Sequence, residues 1–147
     1  MTTPLPNRHA ISRAKLFLDL AEPCTVTERD RHEAYLEAAI IFCRTAIHRL
    51  QHRYKNETGW SAWFNSLLSN PSVAFIREER NFILKEAPPK VGQIIHLDVT
   101  PTLAKYLYYY ESPDVPAIDT VRRHVEEVEK VILEGELKFG DGAEIKA

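Results

Sequence analysis

Residues 28–54 read ERDRHEAYLEAAIIFCRTAIHRLQHRY, and within them Leu36, Ile40, Cys43, Ile47, Leu50 and Tyr54 step by four and three alternately. Steps of four and three keep all six side chains on one narrow stripe of an α-helix. Tyr35, Ala39, Phe42 and Ala46 widen that stripe on one side. A helix this long with so broad an apolar face has to be packed by several others, so it is read as the central element of an all-α protein. Thr27 followed by Glu28 supplies the expected cap and early acid at its start, and Gly59 closes it.

The flanking sequence supplies the packing partners. Ile11, Ala14, Lys15, Leu18 and Ala21 recur at helical spacing, which predicts a first helix over residues 7–22, ended by Pro23. Residues 61–68 read as a short helix accompanied by Trp60, Trp63, Phe64 and Leu67. Asn70-Pro71 restarts the helix with Asn as cap and Pro at the first position, and that helix runs to about Glu86, before Pro88-Pro89. A last helix over 117–137 turns Ile118, Val121, Val125, Val128, Ile132 and Leu133 inward. Between these helices, residues 93–110 change character. Gln93–Val99 is β-prone and Lys105–Tyr110 is aromatic-rich, which predicts a β-hairpin or extended arm. A short helix from Pro101 remains an alternative, since Leu103, Tyr106, Leu107 and Tyr110 also fit the helical period. The sum is a single antiparallel bundle of four or five helices with a small β excursion, loose at residues 1–6 and 139–147.

Composition sets the outer bounds. At 147 residues, 44% hydrophobic and 27% charged, the chain can bury one real core and is not a disordered segment. No run approaches the roughly 20 apolar residues of a membrane span, and the start MTTPLPNRHA has no apolar core of a secretory signal, so a cytoplasmic, non-membrane protein is expected. Two cysteines, Cys24 and Cys43, make no disulfide framework, and Cys43 on the apolar stripe reads as a buried thiol. The formal charge of −2 conceals an asymmetry. No acid occurs between Ala38 and Asn56, where Arg44, Arg49, Arg53 and Lys55 are joined by His48 and His52, whereas acids dominate from Glu111 to Glu136. Such local imbalance can steer a ligand.

One polar constellation breaks the packing pattern. On a helical wheel of residues 72–86, Val73, Phe75, Ile76, Phe82, Ile83 and Leu84 span an arc of roughly 200°. Glu79 and Arg80 fall inside that arc. An acid and a guanidinium there need a partner, because burying an unpaired charge is costly. The partner is an internal ion pair with Glu33 or Glu37, a second subunit, or a wet cleft.

The run Phe75-Ile76-Arg77-Glu78-Glu79-Arg80-Asn81-Phe82-Ile83-Leu84-Lys85-Glu86 resembles the signature segment of HEPN-like helical proteins, in which a helix carries Arg-Asn and, about four residues on, a His. The order of helices is similar too, over roughly residues 11–86 and 117–137. The resemblance implies a homodimer whose two motifs meet in a cleft, and, in active members, metal-independent cleavage of RNA without a cofactor. It gives Arg80 the role of binding or polarising phosphate and Asn81 that of positioning polar groups; Arg77, Glu79, Arg44 and His48 are further binding candidates taken from the residues themselves. The sequence departs from the family where it matters: Lys85 stands at the position of the catalytic His. An ammonium is a poor general base near neutral pH unless its pKa falls by about three units. A catalytically degenerate binding or structural module with RNA or nucleotide association is therefore expected, with a ribonuclease using Arg80, Asn81 and a displaced acid or base as the alternative.

Two weaker patterns complete the reading. His48 and His52, one turn apart, could chelate a divalent metal if Glu37 or Gln51 supplied further ligands; otherwise they are a solvated edge, or meet phosphate with Arg44, Arg49 and Arg53. Tyr106, Tyr108, Tyr109 and Tyr110 could stack on bases, although packed and rim faces of an arm suit them better. No phosphate-cradling glycine loop, nucleophile elbow or paired-carboxylate motif occurs, and Ser72, like the other serines, has no sequence context of a nucleophile.

Overall fold

The computed structural model describes residues 6–84, 92–94 and 101–140, with the backbone alone at 6–8 and 82–84. Five helices follow one another: α1 (Pro6–Ala21), α2 (Arg29–Tyr54), α3 (Trp60–Leu67), α4 (Pro71–Leu84) and α5 (Ala117–Phe139). Two short strands, β1 (Gly92–Gln93) and β2 (Tyr108–Tyr109), pair antiparallel with Gly92 opposite Tyr109. The chain is thus an all-α bundle with a small β-hairpin.

The stripe on α2 does what its spacing demands. Leu36, Ile40, Cys43, Ile47, Leu50 and Tyr54 are all buried and form the spine of the core. Helices α1, α4 and α5 pack around it, and α5 also touches α1 and α4. From α5 come Ile118, Val121, Val125, Val128 and Ile132; Leu133, expected inward, is only half-buried beside Ile11. Burial of the Cys43 thiol pushes its pKa up, so it is an inert packing group.

Local chemistry sets the helix boundaries. Asn70 Oδ1 accepts from the backbone N–H of Ser72 (2.9 Å) and Val73 (3.2 Å), capping α4 with Pro71 at its first position. Gly59 holds the left-handed conformation (φ 86°) at the entry to α3, which glycine adopts without steric penalty. Entry to α2 corrects the expectation of a Thr27 cap. A turn of 3₁₀ helix, Val26–Glu28, precedes α2, and the reciprocal contact is between Thr25 and Glu28, with the Thr25 N–H donating to Glu28 Oε1 at 3.1 Å.

The arm satisfies both expectations for its sequence in part. Residues 92–93 and 108–109 form the hairpin ladder, while Ala104–Leu107 is a turn of 3₁₀ helix. That segment is fastened to the start of α2 by Val26 N–H to Thr102 O (3.0 Å) and Ala104 N–H to Cys24 O (2.9 Å). Tyr108 is buried against His32, ring centroids 6.0 Å apart. His32 itself is fully buried, and its Nδ1–H donates to Ala21 O at 2.8 Å, joining the end of α1 to α2. Because a carbonyl only accepts, Nδ1 carries a proton; burial lowers the pKa of the ring, which favours its neutral form.

At the far end, Trp60, Trp63, Phe139 and Tyr54 cluster, with Trp60–Phe139 centroids 5.4 Å apart. Gly135 on α5 permits this: a Cβ there would lie 2.7 Å from Trp63 Cη2 and 2.9 Å from Leu50 Cδ2. No helix among the described residues is long and apolar enough to cross a membrane.

Candidate functional site

Along α2, Glu37, Ile41, Arg44 and His48 follow at spacings of four, three and four, which places them on one face. That face adjoins α4, against which α2 packs. Arg77 and Arg80 on α4 are three residues apart and therefore neighbours on its surface. The structure brings these side chains together. Burial and the nearby guanidiniums of Arg80 and Arg77 hold the pKa of Arg44 below the ordinary arginine value. His48 is lowered by partial burial and then by Arg44 and Arg80, which favours its neutral form.

Among the described residues the cluster has no paired carboxylate. None of Arg44, Arg77 and Arg80 makes an ion pair with a carboxylate among the described residues. The side-chain contact of Arg80 is an Nη1–H donated to Asn81 Oδ1 at 3.4 Å. Arg44 is half-buried, and its Nε is buried with no acceptor. Of those alternatives, the ion pair of Arg80 with Glu33 or Glu37 is not formed among the described residues, and Arg80 is half-exposed.

Primary structure explains the missing partners. A helical Arg finds its acid three or four residues away. Arg44 has Ile40, Ile41, Ile47 and His48 at those positions; Arg77 has Val73, Ala74, Arg80 and Asn81; Arg80 has Ile76, Arg77, Ile83 and Leu84. Glu78 and Glu79 are one or two residues from both α4 arginines, on other faces. Glu79 is buried, at 2% exposure. Its charge and that of Glu37, added to burial, raise the pKa of Tyr110, whose ring packs edge-on against Phe75 at 5.1 Å. Glu37 is itself exposed, and its carboxyl is pushed up by desolvation and Glu33. The seam therefore has a cationic part at Arg44, Arg77 and Arg80 and an acidic part near Tyr110.

The other expected residues divide. Asn81 is in place beside Arg80, whereas Lys85 and His96 lie outside the described residues. His52 is exposed, and the described residues contain no group of three or more side chains arranged to hold a metal, so His48 and His52 gain no third ligand there. Of the tyrosines, Tyr108 is buried and Tyr110 half-buried. Tyr106 is the exposed one, at 45%, with Lys105 Nζ 5.2 Å from its ring centroid. A row of stacking platforms does not form.

One cluster carried no sequence signal. Ser72 Oγ lies 2.8 Å from His124 Nδ1, and His124 Nε2 lies 3.6 Å from Glu111 Oε1. The order Ser, His, Glu suggests a hydrolase, but the hydrogen bonds oppose it. Arg123 Nη2 donates to His124 Nε2 at 3.3 Å and to both Glu111 oxygens at 2.9 and 3.1 Å. A guanidinium has no acceptor, so Nε2 is the bare nitrogen and Nδ1–H donates to Ser72 Oγ. A base acting on Ser72 needs the opposite tautomer. The backbone N–H groups of Ser72 and Val73 are also occupied by Asn70, leaving no oxyanion donors there. This group is a polar clamp between α4 and α5, completed by the His124 ring stacked on Phe75 at 4.2 Å.

Comparison of the chain with protein-family profiles, with curated proteins and with solved structures finds no match.

Proposed function

We infer that this chain is a HEPN-like, catalytically degenerate helical protein that binds a phosphate-bearing ligand, RNA or nucleotide, through Arg44, Arg77 and Arg80, as a homodimeric module. One observation carries the reading: Arg44, half-buried on α2, lies within electrostatic reach of Arg77 and Arg80 on α4, and none of the three makes an ion pair with a carboxylate among the described residues. Such an arrangement opposes stability, and an anion relieves it by charge-assisted, often bidentate hydrogen bonds. Homodimerisation comes from the resemblance, in which two such motifs face one cleft. Binding of a labelled single-stranded RNA, with Arg80→Gln and Arg77→Gln beside the parent protein, tests the site. Loss of affinity in both variants is expected; affinity unchanged in both removes the site. Light scattering tests the assembly, and a monomer at all concentrations removes the dimeric cleft.

A second reading, the metal-independent ribonuclease, is favoured by one placement: neutral His48 on α2 stands near Arg80, where it could replace the family His absent from position 85. His48 would take the 2′-hydroxyl proton, the 2′ oxygen would attack phosphorus, and the bond to the 5′ oxygen would break, with water protonating the leaving alkoxide. A 2′,3′-cyclic phosphate and a 5′-hydroxyl would result, with Arg44 and Arg80 facing the charge on phosphorus. Incubation with structured and single-stranded RNA in chelator decides between the readings. The binding module gives no cleavage at high protein concentration; cleavage abolished by both His48→Ala and Arg80→Ala establishes the enzyme.

A further inference from the structure

We propose that the cavity between the arm and the loop leading into α5 binds an organic cation, an alkylammonium group carried on an apolar body. This site shares no residue with the arginine seam and does not depend on the phosphate-binding reading. Its volume is about 520 Å³, and its walls include Pro101, Pro113, Pro116, Tyr106, Tyr108 and Asp114. That size is ordinary for a small-molecule site.

Hydrogen-bonding capacity decides the sign of the ligand. The three prolines have no N–H to offer. Ile94, also in the lining, donates its N–H to Leu107 O (2.8 Å), Tyr106 to Leu103 O (3.3 Å) and Asp114 to Ser112 Oγ (3.3 Å). Tyr108 stands in the hairpin ladder opposite Gln93, and its hydroxyl donates to Glu33. The wall is therefore poor in donors, and a phosphate or carboxylate would lose its water there with few hydrogen bonds in return. What the lining does present is two aromatic rings and one charge. That charge is the exposed carboxylate of Asp114, which makes no ion pair among the described residues.

Aromatic rings attract cations through their faces, and one cation already stands at this site: Lys105 Nζ is 5.2 Å from the Tyr106 ring centroid. Lys105 is itself tied to Glu22, which offsets its charge. The two rings differ in mobility. Tyr108, 3% exposed and stacked on His32, is a fixed floor, whereas Tyr106, 45% exposed, is a wall open to solvent. An ammonium in the cavity has the Tyr106 ring and the Asp114 carboxylate on its walls, and its apolar body lies along the proline rings. Those prolines lock their own φ. The loop is further held by Val115 N–H to Ser112 O (3.0 Å) and Asp119 N–H to Pro116 O (3.0 Å), so binding requires little new ordering.

Titration of the full chain with hexylammonium and with hexanol, its neutral counterpart, followed through the backbone amide signals by NMR, tests this. Hexylammonium should shift the signals of Ile94, Tyr106 and Asp114 saturably and bind about tenfold more tightly than hexanol. Asp114→Asn and Tyr106→Leu, both at exposed positions, should each reduce that preference severalfold while the rest of the spectrum stays native. Leucine keeps apolar contact but has no aromatic face, so Tyr106→Leu separates attraction of the cation from packing. A lysine-bearing tripeptide with blocked ends identifies the source of the ammonium. Tighter binding than hexylammonium, with the same shifts, assigns the site to a lysine side chain of a peptide; weaker binding assigns it to a free amine, and either supports the proposal. Equal affinity for hexanol and hexylammonium makes the cavity merely apolar and overturns it. A preference unchanged in either variant, shifts confined to other residues, or no saturable shift with either compound overturns it as well.

Discussion

Replacing Arg44 by Met should make the protein more stable while abolishing its ligand binding. Methionine keeps an unbranched apolar stem where Arg44 is half-buried, so the packing change is small. Removed with the guanidinium is a buried Nε without an acceptor, a group whose desolvation costs about 1 kcal/mol or somewhat more. Repulsion from Arg77 and Arg80 is removed too, at about 0.3–0.5 kcal/mol for each like-charged neighbour. The sum is a gain of roughly 1–2 kcal/mol, or an increase in Tm of about 3–6 °C for a chain of this size. Differential scanning calorimetry at two ionic strengths measures it. The repulsive share should shrink at about 0.5 M salt, where the screening length falls to a few ångströms, while the share from the unsatisfied donor persists. A Tm lowered by several degrees at low salt would mean that Arg44 has a stabilising partner, and the case for an uncompensated cationic site would fail.

Other consequences are accessible to the same apparatus. Gly135→Ala gains about 1 kcal/mol of helix propensity but drives a methyl group toward Trp63 and Leu50, at about 1–3 kcal/mol of overpacking; urea denaturation should show a net loss of about 1 kcal/mol, and a more stable variant contradicts the packing described. His32 and His124 both have lowered folded-state pKa values, through burial foremost and, for His124, Arg123. The unfolded chain thus binds more protons as pH falls below the ordinary histidine value near 6.5. Their contribution is complete above that pH and is lost on acidification, so Tm should fall from pH 7 to pH 5; the fall should be smaller in His32→Asn and His124→Asn, and an unaltered slope in both refutes it. Titration with Zn should leave Tm unchanged, since His48 and His52 find no third ligand among the described residues; a saturable rise of several degrees would show otherwise.

The parts of the fold that rest on periodicity were legible in the sequence. The α2 stripe predicts its own burial because spacing alone decides which face is apolar, and Asn70-Pro71 names the start of α4 because cap chemistry is local. Entry to α2 was legible but misassigned: Thr25-Val26-Thr27-Glu28 contains the Thr-x-x-Glu pattern of a capping box, and Thr27 merely lies closer to the helix. The arm resisted because its residues satisfy two periods, and the structure uses each over a different few residues. As for the site, Arg80 stands out as a cation on an apolar arc, but its surroundings are tertiary. That Arg44 rather than Glu37 lies near it depends on where along α2 the two helices meet, since Glu37 and Arg44 share one face. The absence of acids three and four residues from all three arginines was available as a signal. The Ser72–His124 clamp was not, since its partners are 52 residues apart and neither lies in a local pattern.

The account stands on an arginine seam that awaits an anion, and the salt dependence of RNA binding addresses it most directly. Affinity for a short single-stranded RNA, measured by anisotropy from about 0.05 to 0.5 M salt, should fall with a log–log slope near −2, roughly 0.7 for each of three neutralised charges. In Arg80→Gln the slope should become shallower by about 0.7 as affinity drops. A slope near zero, or one identical in the variant, would contradict the account.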